Sequence, residues 1–272
     1  MKDLLLDSRL VDRVLHYLGH PVESPGLRNL NLLIRSYTRT VPWESVSRIV
    51  KRHATASSPD CPRWPDEFWL DAMEYGTGGT CFESSLAFYA LLTSLGYKGY
   101  LTVNDMGTNR ACHAAIVVEI GGRKYLVDVT IPIYGAILIQ PGIVTRQRTG
   151  FHDYVIRPQG EDRYTVERSH HPSRAAFTLI DRPVSIRKYR QIVEQDYGET
   201  GLFLKSVVMV KIMDDRVWRF FSENKPYRLE SFNRAGRNEF PLPADAVPEA
   251  LARQFRMPED KIADAFSYIQ AD

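Results

Sequence analysis

No run of roughly 18 apolar residues occurs in the chain, which excludes a helix that spans a membrane. Neither sign of charge dominates: 35 Lys and Arg against 33 Asp and Glu leave a formal net charge of +2, so neither nucleic acid nor an anionic membrane is expected as a partner. The basic pairs Lys51-Arg52 and Arg187-Lys188 are too short to be more than solvated faces. Cysteine is scarce. Cys61, Cys81 and Cys112 are odd in number and lack C-x-x-C spacing, which points to a reducing compartment without structural disulfides. The opening Met1-Lys2-Asp3-Leu4-Leu5-Leu6-Asp7 is broken by acids and lacks a signal-peptide pattern, so a cytoplasmic protein is expected. H-E-x-x-H and cysteine–histidine knuckles are missing, and the adjacent His170-His171 does not supply one, so no metal is expected. The glycines at 76–79 lack the lysine of a phosphate-binding G-x-x-x-x-G-K-[ST] loop, and no G-x-G-x-x-G occurs. Internal repeats and low-complexity tracts are absent.

What is present is an ordinary globular composition, 44% hydrophobic and 25% charged over 272 residues, enough for a large core or several small ones. The first hundred residues read as mainly helical. Leu10, Val11, Val14, Leu15 and Leu18 form one stripe ended by Gly19, and Leu27, Leu30, Leu33, Ile34 and Tyr37 form another. Residues 53–66, rich in Ser, Pro and Asp, are expected as an exposed loop, with Cys61 an incidental thiol. From residue 97 to about 179 the period changes to strands, at 100–103, 136–139, 154–157, 164–168 and 175–179 besides a hairpin described below. Frequent turn residues suggest an antiparallel sheet or barrel. A connecting helix follows at 186–196, then strands at 207–212, 217–221 and 227–232, and helices at 248–255 and 258–269.

The most informative stretch is Gly76-Thr77-Gly78-Gly79-Thr80-Cys81-Phe82-Glu83, where a glycine loop enters a helix whose apolar stripe is Phe82, Leu86, Tyr89, Leu92 and Leu95. Thr80 and Glu83 have the spacing of a capping box, which makes Cys81 the first helical residue. Free amide protons and the positive end of the helix dipole favour a thiolate there. The run from His113 to Asp128 reads as a hairpin around Gly121-Gly122. With Ile120 opposite Arg123, His113 lies opposite Thr130, and Asp128 becomes its diagonal neighbour on the same face, with Cβ atoms roughly 7 Å apart. Cys112 points to the other face with Ala114, Ile116 and Val118 and is expected in the core. The division of labour is then that His113 takes the Cys81 proton while Asp128 fixes the imidazole tautomer.

These residues carry a resemblance to the arylamine N-acetyltransferase family along nearly the full chain. Val41-Pro42-Trp43-Glu44 resembles the family's V-P-F-E segment, Gly78-Gly79-Thr80-Cys81-Phe82-Glu83 resembles its G-G-x-C-x-E motif, and Tyr125-Leu126-Val127-Asp128-Val129 resembles the segment with its aspartate. The resemblance implies an α+β fold with a cysteine-protease-like Cys-His-Asp core. Its parts are a helical bundle over 1–96 carrying the nucleophile, an antiparallel β-barrel over 97–185 carrying His and Asp, a connecting helix over 186–205 and an α/β lid over 206–272. It implies Cys81, His113 and Asp128 as catalytic residues and acetyl-CoA as co-substrate, with the acetyl group passing through a Cys81 thioester to an aromatic amine or hydrazine. No residues for CoA itself are singled out, and the oligomeric state is left open.

Two departures accompany it. Thr77 stands where the family usually has arginine, so the glutamate at Glu44 needs another cation, for which Arg39 is a candidate. Thr130 and Pro132 stand where the family usually continues with glycine, and their bulk is expected to narrow a channel beside the site. The same trio also suits an amide synthase with a non-acetyl donor, or a papain-like or transglutaminase-like hydrolase, and Thr77 admits a catalytically silent scaffold. Of the aromatics near the motifs, Trp43, Phe82 and Tyr134 are candidates for an arylamine pocket but are expected mostly in the core. Trp218, Phe220 and Phe221 share that ambiguity.

Overall fold

The computed structural model describes residues 4–169, 174–199 and 201–271, and the His170-His171 pair lies outside them. The chain opens with α1 (Ser8–Tyr17) and α2 (Leu27–Thr40), a two-residue strand β1 (Trp43–Glu44), then α3 (Val46–Ala54), α4 (Pro65–Tyr75) and α5 (Cys81–Ser94). The apolar stripes of the first two helices are buried as their spacing demands, through Val11, Val14 and Leu15 and through Leu30, Leu33, Ile34 and Tyr37. The helix α5 departs from its expected single stripe, since Ser84, Ser85, Ala87, Phe88 and Ala90 are buried along with Leu86 and Leu92. Small residues between the large ones let neighbours close over both sides of a central helix. The segment 53–66 is not simply an exposed loop. Cys61 and Arg63 are 0% and 2% exposed, and α4 already begins at Pro65, a residue well suited to a first helical turn.

The second region is one antiparallel sheet of β2 (Lys98–Met106), β3 (Asn109–Ile120), β4 (Arg123–Val127), β5 (Ile137–Ile139), β6 (Thr145–Arg148), β7 (Asp153–Pro158), β8 (Arg163–Arg168) and β9 (Ala175–Ile180). The order is β5-β4-β3-β2-β9-β8-β7-β6, and β5 comes back against β6, so the sheet curls into a nearly closed barrel. Its interior is filled by Ala115, Val117, Leu126, Ile156, Val166 and Leu179. The strand β3 is buried on both faces, because Ala114, Ile116 and Val118 pack on the helices. The hairpin register is as expected, from Ile120 opposite Arg123 to Ile116 opposite Val127. Gly121 and Gly122 both take positive φ, as a tight two-residue hairpin turn requires.

After α6 (Ile186–Asp196) come β10 (Val208–Met213), β11 (Arg216–Phe221), β12 (Arg228–Asn233), β13 (Gly236–Pro241), α7 (Val247–Phe255) and α8 (Glu259–Ala271). The early strand β1 pairs with β10 and completes a sheet of order β1-β10-β11-β12-β13. The early helix α3 joins α7 and α8 on the same core, where Val46 and Ile49 meet Met209, Phe220, Leu251 and Ile262. The segment that enters the glycine loop's surroundings is therefore fastened to the C-terminal sheet. The architecture is the expected α+β combination of helical bundle, antiparallel β-barrel and α/β lid.

Candidate active site

The helix α4 ends at left-handed Gly76, and the chain runs through Thr77-Gly78-Gly79-Thr80 to place Cys81 at the first position of α5. The loop lies against β1, with Trp43 bridging to Gly79 and the Gly78 amide donating to Glu44 Oε1 at 3.0 Å. Gly78 is required by proximity, since a Cβ there would stand 1.7 Å from the Pro42 carbonyl oxygen.

The expected capping box does not form. Thr80 Oγ1 is buried without a hydrogen-bond partner, and Glu83 is directed instead to Arg63. Arg63 donates to this carboxylate twice, from Nη2 at 2.7 Å and from its backbone amide at 2.9 Å, and the Tyr197 hydroxyl donates at 2.6 Å. A guanidinium offers a buried carboxylate a full charge as well as hydrogen bonds, which a lone helix amide cannot match. Burial pushes the Glu83 carboxyl up, but Arg63 and the three donors outweigh it and hold the group below the ordinary carboxylate range. Arg63 Nη2 also donates to the Gly78 carbonyl at 2.5 Å, so one cation fastens both the loop before Cys81 and the first turn after it.

Arg63 is the residue that motif reading missed. Its signal was Thr77, since a motif without its usual cation must draw one from elsewhere in the chain. Arg39 does not supply it: that side chain pairs with Asp215 at the surface, at 2.6 Å. Glu44, wholly buried, instead accepts from the Ser47 amide at 2.9 Å and the Ser47 hydroxyl as well as from Gly78, and Arg63 lies near enough to feel its charge.

His113, in β3 opposite Asn104 of β2, brings Nε2 to 2.7 Å from Asp128 Oδ2, and the two are 3% and 1% exposed. The expected side-chain contact is thus made, but not through the expected pairing of His113 with Thr130: the β3–β4 ladder stops at Ile116 and Val127, and Asp128 reaches the imidazole from just past the end of β4. Asp128 Oδ1 accepts from the Thr130 amide at 2.8 Å and the Thr130 hydroxyl at 2.7 Å. Thr130 lines the cavity as expected, but its hydroxyl also orients the acid, a role a glycine could not play. Burial alone would depress the imidazole, whereas Asp128, and after it Cys81, raise its pKa to about 10. With Nε2 engaged by Asp128, Nδ1 is the nitrogen left for the sulfur. Ser85 in α5 donates to the Ala114 carbonyl in β3 at 3.1 Å, which ties the helix bearing Cys81 to the strand bearing His113.

Cys81 and His113 line one cavity of about 290 Å³. Residues from the early segment (Trp43), the barrel (Thr130, Arg168) and the C-terminal sheet (Arg219, Phe221, Phe232) complete its wall. Cys112 lines it too, contrary to its expected place in the core. A register shift between Asn104 and Met106 and positive φ at Ala111 break the strand alternation there, and the Cys81 sulfur lies 3.7 Å from the Cys112 carbonyl oxygen. Among the aromatic candidates, Trp43 and Phe221 face the cavity, Phe82 and Phe220 are core, and Trp218 stacks on Phe240. Tyr134 lies under Arg35 and Arg39 instead. Among the described residues no group of His, Cys, Asp and Glu is arranged to hold a metal ion, and no helix is long and apolar enough to cross a membrane.

No curated protein gives a significant match to the chain. Among solved structures, the arylamine N-acetyltransferase of Mycobacterium abscessus aligns with a TM-score of 0.76 at 19% identity, over 96% of this chain and 94% of its own. That of Mycobacterium marinum gives 0.79 at 18%, over 96% and 97%. The Bacillus cereus enzyme, described as having a Cys-His-Glu catalytic triad, gives 0.75 at 15%, over 92% and 99%. At such identities these likenesses concern the fold. A family model described as N-acetyltransferase matches residues 26–258 by sequence. With that match spanning most of its length, the chain belongs to the arylamine N-acetyltransferase family of enzymes.

Proposed function

We propose that the enzyme moves an acetyl group from acetyl-CoA to the nitrogen of an aromatic amine or hydrazine in two half-reactions through a thioester on Cys81. The observation that carries this reading is His113, held at 2.7 Å by Asp128 and raised to a pKa of about 10 beside Cys81 in the wall of the cavity. An imidazolium at His113 is the counter-ion for a Cys81 thiolate. In the first half-reaction the thiolate attacks the thioester carbonyl, the bond to the CoA sulfur breaks, and CoA leaves as a thiol with the proton from His113. In the second, the amine nitrogen attacks the acetyl carbonyl on Cys81, His113 takes the N–H proton, and the Cys81 thiolate departs, which restores the ion pair. The backbone amide of Cys81, at the first position of α5, is the donor assigned to the oxyanion of each tetrahedral intermediate. The Mycobacterium marinum relative has been solved in complex with CoA, and the Bacillus cereus relative is described with a cysteine, a histidine and an acid, both of which support the assignment.

The test is intact-mass measurement after mixing with acetyl-CoA, followed by a panel of aryl amines and hydrazines, with Cys81→Ala as control. An acetyl group on Cys81 that disappears when amine is added is the expected result. No adduct, with Cys81 nevertheless the fastest of the three cysteines to alkylate, would move the assignment to another acyl donor or to hydrolysis.

A further inference from the structure

Between the pairs Asn104 with His113 and Met106 with Asn109, a single residue of β2, Asp105, stands against three of β3, Arg110, Ala111 and Cys112. A bulge of this kind re-aims the residues beside it, and here the backbone takes a positive φ at Ala111, which a residue other than glycine keeps only when its surroundings hold it there. What holds it is Asp105. The carboxylate, 5% exposed, accepts from the Ala111 amide at 3.0 Å through Oδ1, while Arg110 and Arg163 donate to Oδ2 at 2.7 and 3.1 Å. On its other edge Asp105 pairs with Thr178 of β9, so the bulge is fastened to the barrel wall.

The bulge determines where the Cys112 carbonyl lies. Past the end of the β3–β4 ladder at Ile116 and Val127, alternate carbonyls of β3 turn to α5 instead of to a strand. Ala114 accepts from the Ser85 hydroxyl at 3.1 Å, and one helical turn earlier the Cys112 oxygen lies 3.7 Å from the Cys81 sulfur. Among the described residues Cys112 belongs to no ladder pair. Once Cys81 has given up its proton or carries an acyl group, the sulfur has no hydrogen to offer that oxygen. An amine attacking the acyl group brings two N–H bonds and passes only one proton to His113.

We propose that the Cys112 carbonyl accepts the N–H that the amine keeps, and that Asp105 is the positioning residue that holds this acceptor beside the sulfur. The proposal rests on the acyl-transfer reading above and concerns its second half. As the C–N bond forms and the C–S bond breaks, Cys81 leaves as a thiolate, His113 takes one N–H proton, and the other stays on nitrogen in the product amide. Positive charge develops on that nitrogen during attack, so its bond to the Cys112 oxygen is stronger in the transition state than in the bound amine. The thioester of acetyl-CoA carries no N–H at its reacting carbon, so the first half gains nothing from the same oxygen.

Rapid-quench intact mass gives two rates, acetylation of Cys81 by acetyl-CoA and loss of that acetyl group to 4-methoxyaniline. In Asp105→Ala the second rate should fall about fivefold or more, as expected of one hydrogen bond, while the first stays within about twofold of the wild type. Asp105→Asn should keep most of the second rate, because its amide oxygen still accepts from Ala111. Asp105→Glu keeps a charge for Arg110 and Arg163 but displaces the oxygen from Ala111, and it gives the same split should Asp105→Ala fold poorly. In the wild type N-methyl-4-methoxyaniline, whose single N–H goes to His113, should be the slower acceptor, and Asp105→Ala should shrink that gap, since both changes remove the same bond. Equal slowing of both half-reactions, slowing of neither, or a gap that Asp105→Ala leaves intact overturns the proposal and leaves acyl transfer standing. No acetyl group on Cys81 of the wild type would sink both.

Discussion

Replacing Arg63 with methionine removes the one cation that fastens the loop on both sides of Cys81, and the structure fixes what should follow. The guanidinium is 2% exposed and Glu83 is 2% exposed, so the variant leaves a carboxylate in the interior with only the Arg63 amide and the Tyr197 hydroxyl as donors. Breaking a buried ion pair from one side costs about 3–5 kcal/mol, against a total stability of roughly 5–15 kcal/mol for a folded protein. The sign with pH is set by which influence on Glu83 remains. In the wild type its carboxyl lies below the ordinary range, so the pair contributes stability above the unfolded value of about 4.3 and loses it as the pH falls through the depressed folded value. In Arg63→Met burial is the influence left in command, and the carboxyl moves above the ordinary range instead.

Urea unfolding at pH 8 and pH 5 measures the difference. The deficit of Arg63→Met relative to the wild type should be largest at pH 8 and should shrink at pH 5 by about 1.4 kcal/mol or more, the worth of one pH unit of displaced proton affinity. The double variant Arg63→Met with Glu83→Gln should recover most of the loss at pH 8, since no charge is then left unpaired. A deficit below about 1 kcal/mol, the scale of an exposed pair, or one that Glu83→Gln fails to relieve, would refute the reasoning.

Thr130→Val keeps the size of the side chain and the backbone donor to Asp128 but removes the hydroxyl, so kcat should fall about fivefold, the equivalent of about 1 kcal/mol for one net hydrogen bond. An unchanged kcat in steady-state assays would show that the Thr130 and Ile131 amides suffice to hold the acid. His113 has a folded pKa of about 10 against 6.5 ordinarily, so its pairing contributes stability in full below pH 6.5 and loses it as the pH rises towards 10. The gap in urea midpoint between wild type and His113→Asn should therefore narrow from pH 6.5 to 10, and a gap that widened would contradict the assigned ion pair.

The parts of the fold that could be read in advance are those whose cause is local. Two helical stripes, the Gly121-Gly122 turn and the register that follows from it each depend on residues a few positions apart, and each is found as read. What escaped has its cause elsewhere in the chain. The strand β13 is exposed along its whole length and β6 is half exposed, so neither carries an alternating apolar pattern and both exist only because a neighbour offers them hydrogen bonds. The strand β1, two residues long, is held by β10 from more than 160 positions away, and nothing in Trp43-Glu44 itself encodes that partner.

The candidate site divides along the same line. Cysteine at a helix start, histidine on a strand and aspartate after its return are local signals; the structure brings Cys81 and His113 to one cavity wall, with Asp128 behind the imidazole. The error lay in treating Glu83 as a local cap. Thr80-x-x-Glu83 has the right spacing, but a capping carboxylate normally faces solvent, and here the surrounding helix is buried on nearly every side. A carboxylate in such a place must be paired or well hydrogen-bonded, and a full counter-charge serves it best. The motif itself contains no cation once threonine stands at position 77, so the neutralising group had to come from a segment whose composition otherwise suggests solvent. Residues 61–63 lie inward, Arg63 on Glu83 and Cys61 in the apolar core of the helical region.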